Sequence, residues 1–186
     1  MLIALVIIVV LVVVVAAMYN SLVQLRVRGD QAWSDIDVQL KRRYDLIPNL
    51  VETVKGYMGH ERETLTRVTE MRSRAMGARS PGERAQAEGM LTEALKTLFA
   101  VAENYPQLRA IESFNQLQGT LKEIEEQIQL ARRYYNAVVR DLNTKISVFP
   151  SNIIAGMFGF KLREFFEVTT AAEREPVAVK FDTGAK

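Results

Sequence analysis

The chain has 186 residues, of which 25% are charged, and it carries a formal net charge of +2. This length is enough for one domain with a hydrophobic core, and the small net charge without a dense basic block argues against nucleic acid as the main partner. The lack of cysteine excludes disulfides, thiolate metal sites and thiol nucleophiles, and a single histidine excludes a multi-histidine metal site.

The N-terminal residues form an uninterrupted apolar stretch from Leu2 to Met18. As a helix, these roughly 17 residues would span about 25 Å, slightly less than a hydrocarbon core of about 30 Å. Tyr19 follows where an interfacial aromatic belongs, and Leu22 and Val23 extend the apolar surface. The stretch predicts a single-pass transmembrane anchor within residues 1–25, represented by Leu2, Ile7, Leu11, Val15, Met18 and Tyr19.

A cleaved signal peptide is the main alternative to an anchor. Such a peptide has a basic region before its apolar run, which is missing here, and a small-residue cleavage site, which Ala16-Ala17-Met18 matches poorly. Arg26 and Arg28 follow the stretch directly, and no Lys or Arg precedes it. The positive-inside rule therefore predicts that the bulk of the chain is cytoplasmic and the N-terminus is outside.

A long helical pattern follows a predicted break at Gly29-Asp30. Apolar residues recur at steps of three and four from Trp33 to Ala75, and Gly77 is a predicted end signal. Pro48 lies inside this pattern and predicts a kink or a restart of the helix.

Two further long helices are predicted. Ser80-Pro81-Gly82-Glu83 combines a capping serine, a first-turn proline and a capping-box glutamate, and this helix should end just before Pro106. The next helix has apolar residues at heptad-like spacing from Phe114 to Leu142 and is closed by Pro150. Residues 26–150 are therefore predicted to form a long antiparallel bundle of about four helices with coiled-coil packing, which makes the fold all-α.

Residues 151–186 differ from the bundle. A short apolar segment from Ile153 to Phe166 is broken by two glycines, which predicts that it folds back on the bundle, or contacts membrane or another subunit. The stretch from Pro176 to Phe181 alternates like a strand and would be a tail or pair with another chain.

The sequence predicts no catalytic, metal or cofactor site. His60-Glu61 lacks the second histidine that a zinc protease helix places one turn later. Asp35 and Asp37 cannot share a metal on one helix, because residues two apart do not face each other, and we expect Asp37 to pair with Lys41. The sequence also has no Gly-x-Ser-x-Gly motif, in which hydrolases hold a nucleophilic serine. Because none of these catalytic motifs is complete, the chain is predicted not to be an enzyme.

Two basic-aromatic clusters are candidates for an interaction surface, namely Lys41-Arg42-Arg43-Tyr44 and Arg132-Arg133-Tyr134-Tyr135. In each cluster, a helix is expected to turn its aromatic residues towards the core and its arginines towards water. The functional alternative is a contact with anionic headgroups or with a partner's carboxylates. Together with two aromatic residues of the C-terminal segment, the candidate surface comprises Lys41, Arg42, Arg43, Arg132, Arg133, Phe158 and Phe160.

Several longer motifs stand out in the sequence, among them Tyr19-Asn20-Ser21-Leu22-Val23, Asp45-Leu46-Ile47-Pro48-Asn49-Leu50-Val51, Glu103-Asn104-Tyr105-Pro106 and Ala131-Arg132-Arg133-Tyr134-Tyr135-Asn136. These motifs resemble the LemA family, and the resemblance covers nearly the whole chain. It implies an anchored helical bundle in the bacterial cell (inner) membrane, without a catalytic activity or cofactor. The family includes a magnetosome-associated relative linked to membrane invagination, which suggests a membrane-shaping role by analogy.

Two functional hypotheses follow from these features. The first is a non-enzymatic scaffold, anchored in the lipid bilayer, that self-assembles into a homo-oligomer and organises or remodels the membrane. The second is an adaptor that docks a membrane protease or signalling system as its membrane protein partner.

Overall fold

The computed structural model describes residues 1–58 and 61–167, and these residues form helices connected by short turns. The all-α fold predicted from the sequence is confirmed. His60 and the stretch from Pro176 to Phe181 lie outside the described residues, so the expectations for them stay predictions. The helices are α1 (Leu2–Lys55), α2 (Arg62–Gly77), α3 (Pro81–Ala102), α4 (Pro106–Arg109), α5 (Glu112–Ser147) and α6 (Ser151–Met157).

The four long helices form an antiparallel bundle. Leu22, near the middle of α1, shares a hydrophobic cluster with Leu142 at the far end of α5. Further along α1, Arg43 forms an ion pair with Glu125, which lies earlier in α5. The two helices therefore run in opposite directions, and the hairpin of α2 and α3 packs beside them, as the heptad-like pattern predicted.

Helix α1 runs without interruption through the glycine where a break was predicted, so that prediction is wrong. Gly29 is buried, and a Cβ atom there would lie 2.9 Å from Nη1 of Arg163. The same Nη1 donates a hydrogen bond to Oδ1 of Asp30 at 2.7 Å. Gly29 therefore permits the close passage of the Arg163 side chain over the helix, rather than ending the helix.

Pro48 also lies inside α1, and the predicted restart does not occur. Proline has no N–H, so the carbonyl of Tyr44 loses its helical donor. Nε of Arg72, on α2, donates to this carbonyl at 2.7 Å. A side chain of the neighbouring helix thus replaces the missing bond, which explains how the helix continues through a proline.

The pattern predicted to continue from Trp33 to Ala75 is divided between α1, which ends at Lys55, and α2, which begins at Arg62. The other predicted helix ends agree with the structure. Ser80 accepts a hydrogen bond from the N–H of Glu83, and the Glu83 carboxylate accepts from the N–H of Ser80, which completes the capping box. α2 ends at Gly77, and α3 ends at Ala102, before Pro106. The buried stripe of α5 consists of Phe114, Leu121, Ile124, Ile128, Tyr135, Val138, Val139 and Leu142.

The segment after α5 folds back on the bundle, which was the first of the predicted alternatives. Ile154 and Ala155 of α6 pack on Leu22 and Leu142. Residues 163–167, which we call the C-terminal strap, then run along α5, and Phe166 is fully buried in the main core. The strap therefore closes the part of the bundle between α6 and the start of α3.

Replacing Leu121 or Ile128 by alanine should lower the free energy of unfolding by about 2–5 kcal/mol, because each side chain is fully enclosed in the core. Val38→Ala is the matched control, since Val38 is an exposed aliphatic residue of α1 and its loss should change little. Guanidinium unfolding followed by circular dichroism measures the difference. A loss below about 1 kcal/mol for both buried variants would contradict the placement of this core.

Candidate functional site

The first part of the candidate site is the apolar first third of α1, which no other part of the described chain covers. α1 is long and apolar enough to cross a membrane, and the apolar window that qualifies it is entirely unburied. Leu2, Ile7, Leu11 and Val15 are all exposed. A large aliphatic side chain gains about 1.5–3 kcal/mol on leaving water, so an uncovered helix of this kind requires an apolar environment.

The end of this apolar stretch meets the segment around α6. Met18 and Tyr19 are half-buried against this segment. The ring of Tyr19 lies 4.7 Å from that of Phe158 and 6.0 Å from that of Phe160. Leu22, expected to extend the membrane-facing surface, is instead fully covered by the cluster around Leu142, which corrects that expectation.

The segment around α6 presents a second uncovered apolar surface. We call residues 147–162 the collar, because they lie beside α1 where the apolar stretch ends. Phe160 is half-buried and packs inward, whereas Phe158 is 54% exposed. The exposed apolar residues of the collar are Val148, Phe149, Ile153, Met157, Phe158 and Leu162.

Cationic side chains surround the collar, while residues 147–160 carry no charge. Nζ of Lys145 donates to Oγ of Ser21, and the guanidinium carbon of Arg26 lies 5.3 Å from the centre of the Phe160 ring. Lys161 is exposed at the other end of the collar. The arrangement combines an apolar surface with a cationic border, which is the pattern of helices that lie in a membrane interface.

The second part of the candidate site is a polar cluster inside the bundle. Arg43 is 1% exposed, and its guanidinium forms ion pairs with Glu88 of α3 and Glu125 of α5. Nη1 of Arg43 also donates to Oγ1 of Thr92 at 3.1 Å. Arg43 therefore does not belong to an exposed interaction surface; it joins three helices from within.

Tyr44 completes this cluster. Its hydroxyl donates to the carboxylate of Glu88. Burial is the main reason why the pKa of Tyr44 lies well above its usual range, and the negative charge of Glu88 raises the pKa further. The phenol therefore stays protonated and acts as a hydrogen-bond donor. Both carboxylates of the cluster are occupied by these donors, which suits a structural role rather than acid-base catalysis.

Lys41 and Arg42, the other two residues of α1 on the candidate surface, are both exposed. Lys41 pairs with Asp45 at 3.0 Å, and Nη1 of Arg42 donates to Gln39 at 3.2 Å. Asp37 pairs with Arg84 of α3 rather than with Lys41, which corrects the expected pairing. An interaction at Lys41 and Arg42 stays a prediction.

The second basic cluster divides between surface and core. Arg133 and Tyr134 are exposed, whereas Tyr135 is buried, so only one of the two aromatics points inward as expected. Arg132 is half-buried, with its guanidinium carbon 5.0 Å from the centre of the Phe166 ring. Burial lowers the pKa of Arg132, and the carboxylates of Glu125 and Glu88 partly offset this effect.

Two asparagines that sequence reasoning missed hold the C-terminal strap. The side-chain oxygen of Asn143 accepts from the N–H of Arg163 at 2.8 Å, and its side-chain amide donates to the carbonyl of Arg163 at 2.8 Å. Asn136 makes the same pair of bonds with Phe166, at 2.9 Å and 3.2 Å. Residues seven apart share a helix face, so this spacing was the signal that could have identified them.

Within residues 1–58 and 61–167, the structure shows no group of three or more His, Cys, Asp or Glu side chains that could hold a metal ion. The candidate site therefore consists of the apolar first third of α1, the collar, and the buried polar cluster that joins α1, α3 and α5. These features define a class of all-α proteins in which the first helix of a bundle continues outward as an uncovered apolar rod.

Comparison with known proteins identifies the family. The LemA family profile matches residues 32–181, and the chain belongs to the LemA family. The magnetosome protein MamQ 2 of Paramagnetospirillum magneticum is 24% identical, over 83% of this chain and 66% of its own length. Protein LemA of Metamycoplasma hominis is 29% identical, over 73% of this chain and 63% of its own length. The chain thus spans slightly less than two thirds of these relatives.

Replacing Glu88 by glutamine should destabilise the bundle by about 3 kcal/mol, because Arg43 would keep its buried charge with only one carboxylate partner. Lys41→Gln is the control: it removes an ion pair in which both side chains are exposed, so it should cost well under 1 kcal/mol. Denaturant unfolding of both variants tests the difference. Equal stabilities for the two variants would show that the buried cluster does not hold the helices together.

Proposed function

We propose that the chain is a non-enzymatic scaffold of the bacterial cell membrane, which self-assembles and organises or remodels the bilayer. The observation that carries the proposal is the continuity of α1 from Leu2 to Lys55. The apolar first third of this helix is uncovered, and the remainder packs in the bundle. One helix thus joins the apolar stretch to the folded bundle without a flexible linker.

A rigid connection has a mechanical consequence. When α1 crosses the bilayer, the bundle is held at the angle that the helix sets, because a helix resists bending unless proline, glycine or an inserted group interrupts it. In α1, Arg72 compensates for Pro48, and Gly29 lies inside a continuous helix. Neighbouring bundles that touch each other would therefore impose a fixed angle between their anchors, and fixed angles shape a membrane.

An exposed apolar pair supports self-assembly. Leu130 and Tyr134 lie one turn apart on the solvent face of α5 and are 51% and 54% exposed. Exposed apolar residues that cluster on one face are typical of protein–protein contacts. This pair is the candidate contact between copies.

The orientation of the chain follows from the basic residues after the anchor. Arg26 and Arg28 are both exposed just beyond the apolar stretch. The positive-inside rule places this side in the cytoplasm, so we propose that the bundle is cytoplasmic. The magnetosome proteins among the relatives support a role at a bacterial membrane by analogy.

Reconstitution in phospholipid vesicles tests the proposal. We expect the full chain to form species larger than a monomer and to deform the vesicles, measured by cross-linking and by cryo-electron microscopy of vesicle shape. Replacing both Leu130 and Tyr134 by serine should reduce both effects, because it removes the exposed pair. Met76→Ser is the matched control, since Met76 is similarly exposed on α2.

A chain that is strictly monomeric and leaves vesicles unchanged would contradict the scaffold. The rival hypothesis, an adaptor for a membrane protease or signalling system, predicts that result together with a stoichiometric membrane protein partner.

A further inference from the structure

Helix α6, which lies within the collar, has two apolar faces, and the bundle covers only one of them. Ile154 and Ala155 pack inward on Leu22. Ile153 and Met157 point away from the bundle and are 53% and 72% exposed. A short helix that is apolar on both sides needs a second apolar partner, since exposing large aliphatic side chains to water is unfavourable.

The position of the collar along α1 indicates what that partner is. From Leu2 to Tyr19, α1 rises about 26 Å, so a hydrocarbon core of about 30 Å reaches just past Tyr19. Tyr19 contacts Phe158, and Met18 lies against the hydrophobic cluster of α6. The uncovered face of α6 is therefore level with the boundary between the hydrocarbon and the headgroups.

The charge pattern supports the same conclusion. Residues 147–160 carry no charge, so their insertion would bury no ion. Lys145 and Lys161 lie at the two ends of this stretch, and Arg26 lies on the side that leads into the bundle. These cations are placed where the phosphates of the headgroups would be.

From these observations we infer that the collar inserts into the interface of the leaflet from which α1 emerges, which makes α6 a second membrane-contacting element. The inference rests on the anchoring that the proposed function assigns to α1. Lipid would then cover Ile153, Met157 and Phe158. Because α6 lies against one side of α1, the insertion would add volume to one leaflet only, and asymmetric insertion bends a membrane.

Single-cysteine labelling tests the inference directly, because the chain has no cysteine of its own. Ile153→Cys and Met157→Cys report on the collar. Val12→Cys is the reference within the apolar stretch, and Val38→Cys is the reference on the exposed surface of the bundle. Each full-length variant is spin-labelled in phosphatidylcholine/phosphatidylglycerol nanodiscs, and the collision rates with oxygen and with a water-soluble nickel chelate are measured.

We expect the labels at positions 12, 153 and 157 to collide severalfold more often with oxygen than with the nickel chelate, because they contact lipid. The label at position 38 should show the opposite preference. The label at position 12 could contact lipid while the labels at 153 and 157 behave like the label at 38. This result would contradict the insertion of the collar and leave the membrane anchor supported.

Two other outcomes would also overturn the inference. Labels at 153 and 157 that are protected from both reagents would show that a second copy of the chain covers the collar. A label at position 12 that is exposed to water would overturn the collar and the anchored scaffold together. Circular dichroism of each variant confirms that the helices are retained.

Discussion

The structure depends on one physical constraint, which is that the first third of α1 is too apolar to be left in water and is covered by no other part of the described chain. The folded bundle is built on the continuation of this helix. α5 packs antiparallel to α1, the hairpin of α2 and α3 covers the pair, and α6 closes the end nearest to the apolar stretch. The same helix thus supplies both the core of the fold and its apolar extension.

Long-range polar contacts keep α1 continuous and in register. Arg72 satisfies the carbonyl that Pro48 leaves without a donor, and Arg43 joins α1 to both α3 and α5. The desolvation of a buried ion pair limits its net contribution to stability, so its clearest effect is to select one alignment of the helices. The asparagine pairs on α5 act similarly on the strap, because they bind its backbone at two defined residues.

Local patterns were sufficient to predict much of this fold. The capping box at Ser80, the end of α2 at Gly77 and the buried stripe of α5 depend on residues that are close in sequence, and the structure confirms them. The errors arose where distant residues decide the outcome. Arg43 appeared to be a surface arginine, but its partners lie 45 and 82 residues away.

The same reasoning explains the glycine and proline in α1. Each residue weakens an isolated helix, so a break was a sound expectation from local chemistry. Arg72 supplies the hydrogen bond that Pro48 removes, and Gly29 leaves room for the Arg163 side chain; neither contact has a sequence signal near the glycine or the proline. The collar was only partly predictable: its apolar composition was evident, but its position beside Tyr19 required the fold.

The proposed function depends on α1 being one unbroken helix from its apolar stretch into the bundle. A distance between spin labels at Val12 and Val38 tests it most directly, in the full chain in nanodiscs, because both side chains are exposed. A continuous helix predicts a single narrow distribution centred near about 39 Å, at about 1.5 Å per residue. A broad distribution, or one centred well below this distance, would show a hinge between anchor and bundle and would contradict the account.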